Sequence, residues 1–251
     1  MERDIKTLAE REFDLLIVGG GITGACVAWD ATLRGLSVAL VEQYDWGGAT
    51  SSATSKLLHG GLRYMKQLRF SVVRESLRER RLMAVAAPHL VRPLPFLIPT
   101  YRYGSSRLSI IRMGLILYDT FAYDGGSTSD PALRIGFHET LEPAEVLARE
   151  PNVNPFGLTG GVVYGDYQCH SMERLTLELV LSAAEAGAVV ANQAEVMEIL
   201  VRGDRVRGAQ VKDRPSGERF TVRAGAILNA TGPWSDEVLG RAGLRQPPHV
   251  V

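Results

Sequence analysis

Only two cysteines occur in the 251 residues, Cys26 and Cys169, and they match no metal-ligand spacing. A disulfide-stapled scaffold and a zinc module are therefore excluded, and both thiols read as reduced and buried, as in a cytoplasmic protein. Excess charge is missing as well. Lys and Arg number 28 and so do Asp and Glu, so the balance gives no reason to expect nucleic acid or an acidic polymer as partner. The first residues, 1–12, are charged and lack the apolar region of a signal peptide. The longest apolar stretch of interest, residues 108–118, is broken by Ser109, Arg112 and Gly114 and is too short to span a bilayer. Asn229-Ala-Thr231 fits a glycosylation sequon, which a reduced cytoplasmic setting sets aside. No internal repeat is visible. What remains is a chain long enough for a substantial core, as one large domain or two small ones.

The most informative segment is residues 13–24, Phe-Asp-Leu-Leu-Ile-Val-Gly-Gly-Gly-Ile-Thr-Gly, followed by Glu42 at the end of the next apolar stretch. Residues 15–18 read as a buried strand, Gly19, Gly21 and Gly24 fill the glycine places of G-x-G-x-x-G, and a helix is predicted from Ala25 onward. Gly19 permits the tight turn, Gly21 lets a pyrophosphate approach the backbone, and Gly24 lets helix and strand pack closely. The diphosphate then sits at the positive helix N-terminus. A second strand over 37–41 delivers Glu42, whose carboxylate suits the ribose hydroxyls. A lone glycine motif is weak, but strand, glycines, helix, strand and acid in this order predict a Rossmann-like α/β domain that binds a dinucleotide.

Residues 47–61 follow, rich in glycine and serine yet without the repetition of a linker. A helix is predicted over 70–87, and its run of Arg74, Glu75, Arg78, Glu79, Arg80 and Arg81 reads as a solvated face. Pro88, Pro93, Pro95 and Pro99 make 90–101 an edge strand or a crossing into a second subdomain. Residues 108–118 read as an apolar helix with two readings, core of a cap subdomain or a surface docking on a membrane, of which core is favoured. Helices are expected over 142–149 and 173–186, the latter stopped by Gly187. Strands are expected over 188–192, a hairpin pair at 195–202 and 205–213 around Gly203-Asp204, and two more at 220–223 and 226–229. The last runs into Ala230-Thr-Gly-Pro-Trp234, a small-residue turn suited to closing beside the first phosphate loop.

Taken together, residues 19–24, Glu42, the run Ala49-Thr-Ser-Ser-Ala-Thr-Ser-Lys-Leu-Leu-His-Gly-Gly-Leu-Arg-Tyr64, Ala87-Pro-His-Leu90 and residues 229–234 resemble FAD-dependent glycerol-3-phosphate dehydrogenases. The stretch 50–64 is the specific part, and the resemblance extends from Phe13 to about Gly243. It implies a Rossmann-like FAD-binding domain of glutathione-reductase type, as in the D-amino-acid-oxidase-like superfamily, with part of a substrate or cap domain. Within one oxidoreductase domain over 13–251, residues 13–87 and 170–243 would form the FAD-binding part and 88–169 a partial substrate part. The implied reaction is oxidation of sn-glycerol 3-phosphate to dihydroxyacetone phosphate, with electrons passed to quinone at the inner face of a bacterial membrane, as a peripheral contact, or to oxygen.

By the same resemblance Gly19, Gly20, Gly21, Ile22, Thr23, Gly24, Glu42, Gln43, Val196, Ala230, Thr231 and Gly232 hold the cofactor. Thr50, Ser51, Ser52, Lys56, Leu57, Gly60 and Gly61 line its pyrophosphate and isoalloxazine, while His59, Arg63 and Tyr64 face the substrate side of the flavin. The side chains fit these places. A histidine near neutrality suits a base for the substrate hydroxyl, but for His59 substrate or flavin positioning is favoured over that role. Arginine's planar fork suits a phosphate dianion. Lys56 fits a flavin or phosphate donor, against a plain loop lysine.

Two features depart from the family. Its members often carry paired aspartates and Ala-Arg-Leu where this chain has Tyr167-Gln-Cys-His-Ser-Met-Glu-Arg-Leu175, so His170 is expected at a helix start or in the cap domain, without a catalytic role. The family's chains also continue well past Val251 with further substrate-domain strands, so only part of the substrate pocket is expected here. Two other readings stand beside the first: a related FAD-dependent oxidase of an amino acid or hydroxy acid, with Arg63 on a carboxylate, and an inactive truncated FAD-binding module.

Overall fold

A computed structural model describes residues 3–104, 107–123 and 130–243; residues 244–251, with the chain end noted above, lie outside the described residues. The chain begins with α1 (Ile5–Glu10), β1 (Glu12–Val18), α2 (Ile22–Leu33) and β2 (Val38–Val41). It continues through β3 (Leu57–Leu58), a 3-10 helix at Leu62–Gln67, α3 (Phe70–Ala86), β4 (Val91–Tyr101), α4 (Leu108–Phe121), β5 (Glu139–Leu141) and α5 (Pro143–Arg149). The remainder is β6 (Leu158–Cys169), α6 (Met172–Glu185), β7 (Val189–Ala191), β8 (Ala194–Arg202), β9 (Arg205–Asp213), β10 (Arg219–Asn229) and α7 (Ser235–Gly240). Two compact units result, one from residues 1–54 and 171–251, the other from 55–170.

The first unit is built on a six-stranded sheet of order β7-β2-β1-β10-β9-β8. The pairings β7–β2, β2–β1 and β1–β10 are parallel, while β9 and β8 extend the sheet as an antiparallel hairpin. Strands covered on both faces read as continuous apolar runs, as Leu16, Ile17 and Val18 and all four residues of β2 do. Helix α2 buries only the small side chains Ala25, Ala28 and Ala31, and it packs on α6, whose Leu175, Leu179 and Ala183 form the expected periodic face. Leu8 and Val238 join a core cluster with Phe13, Leu16, Val211 and Val222.

The strands expected at 220–223 and 226–229 are a single strand. β10 pairs antiparallel with β9 as far as Arg223 and parallel with β1 from Arg223 to Asn229, so one unbroken ladder spans Gly225. Helix α1 gave no apolar signal, because it buries only Leu8 and starts from the Asp4 carboxylate, which accepts the Thr7 N–H at 2.9 Å.

The second unit centres on β6, which pairs with β4 along one side and with β3 and β5 along the other. β4 is an edge strand, in line with its prolines. Pro93, Pro95 and Pro99 share one parity, so their missing N–H groups all fall on the edge that no strand among the described residues pairs. The central strand β6 was invisible in the sequence because it carries three glycines. A Cβ at Gly161 would lie 2.8 Å from Val146 Cγ2 and one at Gly165 2.6 Å from Ile135 Cγ2, so neighbouring elements pass where side chains would give the alternating signal.

Val73 and Leu77 of α3 and Leu115 and Tyr118 of α4 cluster on Val162 of β6. One face of α4 is core, while Ile110, Met113 and Ile116 are more than half exposed on the other. The charge run of α3 is solvated at Glu75, Arg78 and Glu79, but Arg80 is 5 % exposed and belongs to the interior. Among the described residues no helix is long and apolar enough to cross a membrane.

Candidate functional site

The carboxyl ends of β1, β2 and β10 meet at a cleft of about 930 Å³ in the first unit, bounded by Val18, Val41 and Ala230. This is where an open parallel sheet receives its ligands, outside the strand ends where the order reverses, and the volume suits a large small-molecule ligand. The turn from β1 into α2 is held at backbone distance. Gly19 has φ +109°, and a Cβ there would lie 2.6 Å from Ala230 O; a Cβ on Gly24 would lie 1.9 Å from Gly19 O. Strand, helix and late turn therefore pack with no room for a side chain between them.

Gly21 differs. A Cβ there would approach only Ser51 Oγ, at 3.2 Å, and the residue lines the cleft together with Ile22 and Thr23 of the first turn of α2. That helix begins at Ile22, three residues before the sequence suggested, with Gly21 as its N-cap. Ser51 Oγ accepts the Ile22 N–H at 2.9 Å and so supplies the side-chain cap that glycine lacks.

Glu42 sits where β2 ends. Its Oε2 accepts the Gly20 N–H at 2.7 Å and its Oε1 the Tyr44 N–H at 2.8 Å. A carboxylate has about four lone-pair sites, so capacity remains for ligand hydroxyls. Gly20 stands behind the loop, where a Cβ would meet the Trp46 ring at 2.4 Å. Gln43, Thr50, Val196, Thr231 and Gly232 also line the cleft, whereas Gly20, Gly24 and Ser52 do not. The Ser52 hydroxyl instead donates to Ala49 O at 2.7 Å.

Sequence reading missed Trp234, Glu237 and Arg241 on the cleft wall. Arg241 donates to Val196 O and, at 2.8 Å, to Glu237 Oε1. The Glu237 to Arg241 spacing is an ordinary helical pair, which offered no signal of a ligand wall.

The other site candidates belong to the second unit. Lys56 adopts φ +57°, its carbonyl accepts the Cys169 N–H at 2.8 Å, and β3 then pairs Leu57 and Leu58 with Gln168 and Tyr167. A non-glycine residue in this region costs energy and tends to occur where a loop is functionally constrained. The buried Gly60 donates its N–H to Asp166 Oδ1 at 3.0 Å, and a Cβ on it would lie 2.2 Å from the Tyr118 hydroxyl. Gly61, at φ +70°, opens the 3-10 helix that carries Arg63, which is exposed, and Tyr64, which is half-buried against the Val73, Leu77 and Leu115 cluster.

His59 is exposed, and its Nδ1 accepts the Gly61 N–H at 3.1 Å. A backbone N–H can only donate, so in the neutral ring held this way the proton resides on Nε2. His59 therefore presents a donor from its outer nitrogen in this conformation. His170 donates its N–H to Leu90 O at 2.8 Å just before Ser171, the N-cap of α6, and so occupies a helix start. Cys169 is buried and Cys26 half-buried.

A glycine turn at the strand ends, an acid behind it and a small-residue turn closing beside it define a dinucleotide-binding protein of the α/β class. The FAD dependent oxidoreductase family matches residues 14–251, and the chain belongs to that family. It is 40% identical over 244 residues to a glycerol-3-phosphate dehydrogenase of Synechocystis, covering 96% of this chain and 42% of that one. It is 41% identical to an aerobic glycerol-3-phosphate dehydrogenase of Staphylococcus saprophyticus, covering 93% and 40%. An FAD-complexed glycerol-3-phosphate dehydrogenase from Bacillus halodurans superposes with a TM-score of 0.69 at 29% identity, covering 95% of this chain and 39% of that one. The chain spans about 40% of the length of the relatives it matches. The cradle suits this family's cofactor: Gly21 leaves the backbone bare at a helix N-terminus, a chemistry that fits a diphosphate, and Glu42 keeps acceptor capacity of the kind ribose hydroxyls need.

Proposed function

We propose that this chain forms the FAD-binding portion of an enzyme that oxidises sn-glycerol 3-phosphate to dihydroxyacetone phosphate. The observation that carries the reading is the run from Thr50 to Tyr64, which has the family's specific pattern and a strained, tightly held backbone around Lys56 and Gly60. Relatives about 40% identical that bear the glycerol-3-phosphate dehydrogenase name support it.

In this reading residues 13–87 and 170–243 serve FAD and 88–169 the substrate, although residues 55–87 are grouped by compactness with the latter. Gly19, Gly21, Ile22 and Thr23 hold the diphosphate, Glu42 the ribose, and Val196, Ala230, Thr231 and Gly232 the flanks of the dinucleotide. Lys56, Leu57, Gly60 and Gly61 approach the isoalloxazine. The bound flavin supplies the two-electron acceptor for the hydride leaving the alcohol carbon. Arg63 binds the phosphate through its guanidinium fork. His59 positions the substrate or the flavin by donating from Nε2, and Tyr64 backs the loop.

Electrons then leave to quinone or oxygen. A quinone acceptor implies a peripheral membrane contact, for which the exposed Ile110, Met113 and Ile116 of α4 offer apolar surface. Anaerobic addition of sn-glycerol 3-phosphate to the FAD-loaded chain tests the proposal, with bleaching of the flavin band as the expected result. A flavin that stays bound and oxidised with this substrate but bleaches with an amino acid would replace the reading by the oxidase alternative.

A further inference from the structure

The geometry points to Asp166 as the residue that positions His59, acting through two consecutive backbone N–H groups. Asp166 lies on β6 with the parity of Val162 and Tyr164, on the strand face where the α3 and α4 cluster packs, and its side chain is 4% exposed. Such a carboxylate needs partners. Arg80, also 4% exposed, donates from Nη1 to Asp166 Oδ1 at 2.5 Å and to Gly165 O at 3.0 Å. The Tyr118 hydroxyl donates to the same Oδ1 at 3.2 Å, and so does the Gly60 N–H at 3.0 Å.

The Gly60 bond fixes the peptide that follows His59. The next N–H, that of Gly61, then falls on His59 Nδ1. Movement of Gly60 is blocked on its other side, where the Tyr118 hydroxyl and Leu77 leave no room even for a methyl group. A buried ion pair is a poor source of net stability, since well-packed apolar residues do as well or better. The pair on β6 and α3 is explained instead by the loop it holds: it provides a charged anchor for the backbone that sets the ring orientation and proton position of His59. Asp166 and Arg80 are thus positioning residues, and neither needs to touch a substrate.

The use made of His59 rests on the function proposed above, but the test reads the imidazole and not turnover. Long-range proton–nitrogen spectra of the FAD-loaded, full 251-residue chain with nitrogen-15 histidine report which ring nitrogen carries the proton, and a His59→Gln variant assigns the signal. Wild type is expected to show the neutral His59 ring protonated on Nε2. Asp166→Ala is expected to raise the Nδ1-protonated share several-fold. That variant leaves Arg80 unpaired and can fail to fold, so Arg80→Met combined with Asp166→Leu removes both charges together. In the folded double variant His59 should change while His138, whose Nδ1 lies 2.6 Å from Asp119 in the same unit, keeps its signature. An unchanged His59, or a parallel change in both rings, would overturn the assignment. A failure to oxidise glycerol 3-phosphate alone would leave it standing.

Discussion

Gly20 and Glu42 are joined across the phosphate loop by a 2.7 Å hydrogen bond from backbone N–H to carboxylate, which locks the glycine turn to the end of the neighbouring strand. Glu42 thereby shapes the loop as well as, in the proposed function, accepting from the ribose, so replacing it would remove two things at once. Hydrogen bonds to a charged group are worth about 1.5–3 kcal/mol. Glu42→Gln is accordingly expected to weaken FAD binding by roughly ten- to a hundredfold. Titration of the apoprotein with FAD, followed by quenching of flavin fluorescence, measures this, and an unchanged Kd would remove Glu42 from the site.

Two glycines of the same turn should fail in different ways. At Gly24 a Cβ would lie 1.9 Å from Gly19 O. The gain in helix propensity for Gly24→Ala is about 1 kcal/mol, but overpacking against backbone costs about 1–3 kcal/mol or more, so the steric term wins and Tm falls. At Gly21 the space beyond Cβ is the cleft. Gly21→Leu should keep the wild-type fold by circular dichroism and lose FAD. Wild-type flavin content in that variant would contradict the phosphate-loop assignment.

The contrast shows what could be read from the chain alone. The first βαβ unit was legible because each of its parts has a fixed order and a separate physical reason, and the hairpin around Gly203-Asp204 because its strands alternate between turn signals. β6 was not legible, since Gly160, Gly161 and Gly165 trade side chains for close approach of neighbouring elements. Arg80 was hidden inside a charge run that looks solvated, and only the fold reveals Asp166 opposite it. On the cleft wall, Glu237 and Arg241 look like any helical ion pair until β8 brings Val196 beside them. Pattern reaches as far as local geometry does; residues that meet across the fold need the fold.

Acid should reveal the clasp between Asp14 and Ser37, which ties β1 to the residue before β2. The Ser37 hydroxyl and N–H donate to Asp14 Oδ2 at 2.6 and 2.8 Å, and the hydroxyl first, then the N–H, hold the carboxyl below its ordinary 3.8. A group whose folded value is depressed contributes stability above the unfolded value, and that contribution is lost as pH falls through the folded value. Ser37→Ala removes the leading cause. Its deficit in stability relative to wild type should be full near pH 6 and shrink as the pH drops below about 4. Urea denaturation at both pH values checks the sign, and a deficit that stays constant would show that the carboxylate is not responsible.

Replacing Arg63 should separate substrate binding from cofactor binding. Its side chain is exposed on the 3-10 helix that begins at Leu62, and among the described residues its truncation leaves no buried cavity and no unpaired ion. Arg63→Ala is therefore expected to fold and retain FAD as wild type does. If its guanidinium binds the phosphate of glycerol 3-phosphate, the loss of a charge-assisted pair worth about 1.5–3 kcal/mol should raise the substrate concentration for half-maximal flavin reduction by roughly ten- to a hundredfold. Anaerobic reduction at increasing sn-glycerol 3-phosphate measures it directly. A normal concentration dependence would place the phosphate on other residues, while loss of FAD from the variant would move Arg63 from the substrate to the cofactor.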